Sequence, residues 1–240
     1  LTLSRRSLLK TLGSAAAVAS VTPLSSALAA GAIKPGKQSV LLVIDVQNCF
    51  LPTGTLPVKD GDQVVPVINE LSKKFQNVVM TQDWHPAGHS SFASSHDGKA
   101  PFETVEMDYG TQVLWPDHCI QGTKDAELAP GLDIPHAQLI IRKGWNSAVD
   151  SYSAFREADK KTMTGLTGYL EERGISDVYV CGLATDFCVA WSAIDGTISE
   201  FNVSVIEDAS RGIDLNGSVA TAWADMKKAG IARIQSGDFA

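Results

Sequence analysis

Basic residues are scarce in this chain: 20 Lys and Arg stand against 27 Asp and Glu, for a formal net charge of −7. After position 10 no more than two cations are adjacent. That shortage argues against nucleic acid or an anionic membrane surface as a partner. Cysteine is sparse too. Four residues, Cys49, Cys119, Cys181 and Cys188, include no Cys-x-x-Cys pair and no spacing that reads as a disulfide framework. Nothing in that spacing points to a small cross-linked scaffold. An oxidising compartment would permit pairing in any of three ways, but a chain this long needs no staple. Internal repeats are lacking. No apolar run beyond position 38 is longer than a strand, so nothing past the N-terminal segment reads as a stable membrane span.

The N-terminal segment stands apart in composition. Ser4-Arg5-Arg6-Ser7-Leu8-Leu9-Lys10 is basic, and Thr11 to Ile33 is uncharged and rich in Ala, Ser, Val and Leu. Ala27-Leu28-Ala29 supplies the small-x-small pattern of a signal-peptidase site. The segment is similar to a twin-arginine export signal, with Leu8 in the place usually held by Phe. Gly13, Pro23 and the many hydroxyl residues make it a poor permanent anchor. The expected organisation is an export signal over 1–29, a linker over 30–38 and one domain over 39–240, in the periplasm or secreted. Removal of the three leader cations would leave 17 basic against 27 acidic residues, a mature charge near −10.

Ser39 to Val46 is an almost unbroken apolar, β-branched run, the pattern of a strand buried on both faces. Asn77 to Thr81, Ala137 to Ile141, Asp177 to Cys181, Asn202 to Ile206 and Ile231 to Ile234 read the same way. Helical spacing covers Gln63 to Phe75, Thr164 to Arg173, Asp186 to Ser199 and Ser218 to Ala229, with Gly174 and Gly230 as stops. Strand alternating with helix predicts a single-domain, three-layer α/β/α fold around a mostly parallel, doubly wound sheet of about six strands. Such folds place their sites at the carboxyl ends of the strands. Two long connections, after Asp83 and after Lys143, begin there.

The chemistry-bearing residues cluster at those ends. Asp45 closes the first buried strand, where a carboxylate is costly unless paired or used; alone it reads as a loop cap. Lys143 closes the strand Leu139-Ile140-Ile141-Arg142, and alone it reads as a Lys reaching for solvent. Cys188 follows the turn Gly182-Leu183-Ala184-Thr185. With Thr185 or Asp186 as N-cap it falls in the first turn of a helix, where free N–H groups favour a thiolate. The alternative is a small buried hydrophobe, the natural reading for Cys181. Asp83 and His85, two apart in extended chain, can point the same way and share a cation that the distant His118 completes. Solvated loop histidines are the competing reading.

Taken together, Val43-Ile44-Asp45-Val46-Gln47-Asn48, Gln82-Asp83-Trp84-His85-Pro86, His89-Ser90-Ser91-Phe92, Leu114-Trp115-Pro116-Asp117-His118-Cys119, Lys143-Gly144, Asp150-Ser151-Tyr152-Ser153-Ala154-Phe155 and Gly182-Leu183-Ala184-Thr185-Asp186-Phe187-Cys188-Val189 occur in family order. In these pieces the chain resembles the nicotinamidase (pyrazinamidase) group of the isochorismatase-like cysteine hydrolases, from about Ser39 onward. The resemblance implies hydrolysis of nicotinamide to nicotinate and ammonia through a cysteine thioester, with Asp45, Lys143 and Cys188 as the catalytic triad. It implies one divalent metal ion (Zn, Fe or Mn) on Asp83, His85 and His118, with His89 a ligand in some members only. Phe50 and Trp115 match residues that wall the pyridine ring. A cis peptide before Ala184 would turn the N–H groups of Ala184 and Cys188 toward an oxyanion. One departure is Cys49, where the family usually carries an acid; it could alter metal affinity or offer an oxidisable thiol beside the pocket. The rival within the superfamily is an amidase acting on a carbamoyl or ureido substrate, which would lack the metal motif. A binding protein without turnover has no need of the triad. The expected partner is the small-molecule substrate, with no nucleic acid, and a homo-oligomer is compatible with everything above.

Overall fold

Residues 32–240 are described in the computed structural model; the segment expected to be an export signal (1–29) and the start of the expected linker lie outside them. The apolar runs form a six-stranded sheet: β1 Ser39–Ile44, β2 Asn77–Asp83, β5 Leu139–Lys143, β6 Asp177–Leu183, β7 Asn202–Arg211 and β8 Ala232–Ile234. The order is β5-β2-β1-β6-β7-β8 and every pairing is parallel. The chain winds outward from β1 to β2 and β5, then crosses back to β6 and winds the other way. The direction of winding reverses beside β1, and a crevice opens at the carboxyl ends there.

β1 is buried at every position because helices cover both of its faces. Leu41 and Val43 pack with Val64, Ile68 and Leu71 of α1 (Val64–Ser72). Val40, Leu42 and Ile44 pack in a second core with Leu166 and Leu170 of α2 (Leu166–Glu172), Ala190 and Ala193 of α3 (Ala190–Ile198), and Met226 of α4 (Ser218–Lys228). Alternate residues of one strand thus feed two cores, the three-layer arrangement that alternating strands and helices predict. The outer strands depart from expectation. β5 begins at Leu139 and runs to Lys143, with Ile140 exposed, and β8 is exposed at two of its three residues. Both are sheet edges, so neither is buried on two faces as its sequence suggests. The antiparallel hairpin β3 (Thr104–Met107) and β4 (Gly110–Val113), inside the long connection after β2, carries no apolar run and was not expected. Among the described residues no helix is long and apolar enough to cross a membrane.

The cysteines differ from expectation as well. Cys49 and Cys119 form a disulfide across a separation of 70 residues, while Cys181 and Cys188 are free. The spacing concealed this because the bond joins the loop after β1 to the loop after β2, which meet only once the two strands lie side by side. Closing a loop of that length restricts the unfolded chain by roughly 4 kcal/mol.

The close packing of β1 on β6 depends on Gly182, which has φ +117° and would place a Cβ 2.1 Å from the carbonyl oxygen of Ile44. Gly182→Ala is expected to cost about 3 kcal/mol or more, a fall in melting temperature of roughly 6–12 °C, measurable by thermal circular dichroism.

Candidate active site

The sheet sets out the site. Lys143, Asp83 and Asp45 stand at or just past the ends of the adjacent strands β5, β2 and β1, and Cys188 follows β6. Asp83 and Lys143 are register partners. Asp45 is the first residue beyond β1 and takes a left-handed backbone, φ 47°, which turns the chain out of the sheet. β5 and β1 are two strand spacings apart, about 9.6 Å. Only a long side chain on β5 can reach Asp45.

Lys143 does so. Its Nζ lies 2.8 Å from Asp45 Oδ2 and donates to Asp83 Oδ1 at 2.7 Å, to the Ser151 carbonyl oxygen at 2.9 Å and to Cys188 Sγ at 3.3 Å. The side chain is fully buried, the opposite of a Lys reaching for water. Burial works against its charge, yet Asp45 and Asp83 hold the ammonium well above its ordinary pKa. Burial also opposes ionisation of Asp83, but Lys143 and His85 outweigh it and keep that carboxyl well below its usual range. Asp45 is the more basic carboxylate: burial pushes its pKa up, against the pull of Lys143. Its Oδ1 accepts from Thr81 Oγ1 at 2.5 Å. Its Oδ2 touches the ammonium but accepts no aligned hydrogen bond, so it keeps a free lone pair. Burial raises the Cys188 thiol well above its ordinary pKa, with Lys143 pulling the other way. One ammonium thus contacts two carboxyl groups and a sulfur.

Cys188 sits in a π turn, Thr185–Val189, that leads into α3. Neither Thr185 nor Asp186 caps it. Ala184 holds the N-cap position without a side-chain bond, and Asp186 instead accepts from the Ile213 and Asp214 N–H groups and the Ser218 hydroxyl. The carboxylate pins the loop after β7 to the cysteine turn. The Leu183–Ala184 peptide is cis.

Asp83, His85 and His118 converge beside this group, all buried, with ligand atoms within 4.8 Å of one another. His85 Nδ1 is 3.0 Å from the Gly144 carbonyl oxygen and His118 Nδ1 is 2.8 Å from that of Pro116. A carbonyl oxygen only accepts, so each ring carries its proton on Nδ1 and keeps an Nε2 lone pair. Both Nε2 atoms face one atom, Asp83 Oδ2, at 3.2 and 3.4 Å. A proton can satisfy one such pair, whereas a single divalent cation satisfies all three donors. The residues present therefore fit a metal ion. His89 is placed differently. Its Nε2 bonds the Asn146 carbonyl oxygen at 2.8 Å, and its Nδ1 accepts from the Ser91 hydroxyl and N–H at 2.8 and 3.2 Å. Burial and the neighbouring His85 lower its pKa to about 4. With both nitrogens engaged, His89 has no lone pair to give, which disqualifies it in a second cluster with His85 and Asp150.

Cys188, Ala184 and the three candidate ligands open on one narrow, tightly lined cavity. Phe50 and Trp115 line it, joined by Tyr152, Phe187 and Ile213. Trp115 stands edge-on to Phe187 at 4.8 Å and donates to the Tyr152 hydroxyl at 3.0 Å. The last three were missed in the sequence, though Tyr152 and Phe187 lie inside motifs singled out there. Gln47 was missed too. Its amide donates to the Asp83 and Ala126 carbonyl oxygens and accepts from the Asp83 N–H, tying the β1 loop to the first candidate ligand.

Gly144 has φ +69°, and a Cβ there would sit 2.5 Å from Cε1 and 2.7 Å from Nδ1 of His85. Gly144→Ala should push that imidazole out of place and weaken Zn2+ binding by about 10–100-fold, read by competition with a chromophoric chelator.

Residues 39–238 match the model of the Isochorismatase domain. The nicotinamidase of Acinetobacter baylyi is 57% identical over 204 residues, covering 85% of this chain and 95% of its own. A solved Acinetobacter baumanii nicotinamidase–pyrazinamidase is 62% identical with a TM-score of 0.84, over 85% of this chain and 98% of that one. The pyrazinamidase of Pyrococcus horikoshii, solved in complex with zinc, is 34% identical with a TM-score of 0.68, over 82% and 99%. The fold is thus matched along nearly the whole described chain, and the protein belongs to the isochorismatase family.

Proposed function

We propose that this chain is a nicotinamidase, hydrolysing nicotinamide to nicotinate and ammonia through a thioester on Cys188. The observation that carries the reading is the contact of one buried ammonium with both the thiol and the metal-fitting cluster, beside a cavity walled by aromatic rings. Relatives named nicotinamidase support it. Asp45 Oδ2, the carboxylate oxygen with a free lone pair, takes the thiol proton as Sγ attacks the carboxamide carbon. Lys143 stays protonated and balances the charge that passes between carboxylate and sulfur. The backbone N–H groups of Ala184 and Cys188 hold the oxyanion, a contribution of roughly 3 kcal/mol per donor. As the C–N bond breaks, Asp45 returns its proton to the leaving nitrogen and ammonia departs. Water then gives a proton to Asp45 and its oxygen to the acyl carbon. The C–S bond breaks, Sγ recovers the proton, and nicotinate is released.

Asp83, His85 and His118 would hold a zinc, iron or manganese ion, which when bound supplies a Lewis-acidic position for the pyridine nitrogen. Phe50, Trp115 and Tyr152 orient the ring. The ring pocket and the cluster together favour a pyridine carboxamide over a carbamoyl or ureido substrate. The leader reading adds export to an oxidising compartment, where a disulfide persists.

Purified protein given nicotinamide should release nicotinate and ammonia in equal amounts. Cys188→Ala should lower kcat by about four orders of magnitude or more with its metal content unchanged. Ammonia release at the wild-type rate from that variant would exclude the covalent route. Chelation should weaken nicotinamide binding, and added Zn2+, Fe2+ or Mn2+ should restore it.

A further inference from the structure

We infer that the Cys49–Cys119 disulfide positions the metal and ring-binding residues, beyond any role in holding the fold. The inference rests on the nicotinamidase reading for its substrate-binding half and on the metal-fitting cluster for the other. Each half-cystine adjoins a site residue in the chain: Cys49 precedes Phe50, and Cys119 follows His118. Those two neighbours pack against each other at the cavity, with ring centroids 5.7 Å apart. The bond therefore ties the loop that supplies a ring wall to the loop that supplies a candidate ligand.

Cys119 carries a second attachment. Its carbonyl oxygen accepts the His85 N–H at 3.1 Å, so the backbone next to one imidazole also anchors the other. Its own N–H is held by Asp125 Oδ2 at 3.1 Å and its backbone is left-handed, φ 47°. On the Cys49 side, the carbonyl oxygen accepts the Leu56 N–H at 3.0 Å, and Leu56 is another cavity residue. Both half-cystines are fully buried. His118 lies in a long connection, and its imidazole nitrogen is bonded only two residues away, to Pro116. On its amino-terminal side the chain is pinned where Trp115 pairs with the 91–93 segment. On its carboxyl-terminal side the covalent tie is Cys119. Loss of that tie leaves this side to hydrogen bonds alone, those of Cys119 with Asp125 and His85 and of the Gln121 N–H with the His85 carbonyl oxygen, and coordination geometry tolerates little drift.

The test compares the full chain, purified without reductant and loaded with Zn2+, with Cys49→Ser, Cys119→Ser and the double variant. A non-reducing peptide map of the wild type should show Cys49 linked to Cys119, with Cys181 and Cys188 as thiols. All three variants should release Zn2+ to a chromophoric chelator about tenfold faster or more, with a rise in KM for nicotinamide that exceeds any fall in kcat. The singles should match the double, because each removes the same bond. Free Cys49 and Cys119 thiols in the wild type would overturn the inference. So would variants that melt at lower temperature yet keep wild-type zinc release and KM, which is the behaviour of a plain staple. Effects of the two singles that add in the double would also overturn it. A wild type that leaves nicotinamide intact, while its variants still lose zinc faster, would sink the proposed function and support this inference.

Discussion

The Lys143 ammonium, held by carboxylate oxygens of Asp45 and Asp83, the Ser151 carbonyl oxygen and the Cys188 sulfur, is the contact on which the rest of the site depends. Two buried carboxylates so close together could not both stay ionised without it. With it, Asp83 remains an anion fit for a cation and Asp45 remains a base. Taking such a charge out of water is costly, and leaving its partners without it costs about 3–5 kcal/mol. The fold tolerates the group because every charge in it has an opposite neighbour.

That arrangement follows from topology. Parallel strands bring four carboxyl ends to one rim, and the order β5-β2-β1-β6 sets Lys143, Asp83, Asp45 and the cysteine turn side by side. Helices on both faces leave the strand ends as the open part of the sheet. The long connections after β2 and β5 cover that rim and deliver His118, Trp115 and Tyr152 to it. Scaffold and chemistry are separate in this chain: strands fix the charged group, and loops complete the metal cluster and the ring pocket.

Much of this was legible in the sequence, for a physical reason. A polar residue ending an apolar run is a local signal, and Asp45, Asp83 and Lys143 all carry it. The buried strands β1 and β2 show themselves as unbroken apolar runs, and the four helices by their period. What escaped depends on distance. The disulfide joins residues 70 apart, so no spacing rule finds it. Thr81, which holds Asp45, looks like any strand threonine until β1 and β2 pair. Asp186 resembles a helix cap, and only the folded chain shows its carboxylate serving the loop after β7. The exposure of β5 and β8 follows from their places at the sheet edges, which an apolar run does not record.

The thiol is the place to test the ammonium's role. Iodoacetamide alkylation of Cys188 can be followed by mass spectrometry in the wild type and in a folded Lys143→Met variant, with buried Cys181 as the internal reference. Loss of the neighbouring positive charge should slow Cys188 at least about tenfold at neutral pH, since each unit of pKa is a factor of ten in thiolate, with Cys181 unaffected. Equal Cys188 rates in the two proteins would mean that Lys143 does not govern the sulfur, and the account built on that contact would fail.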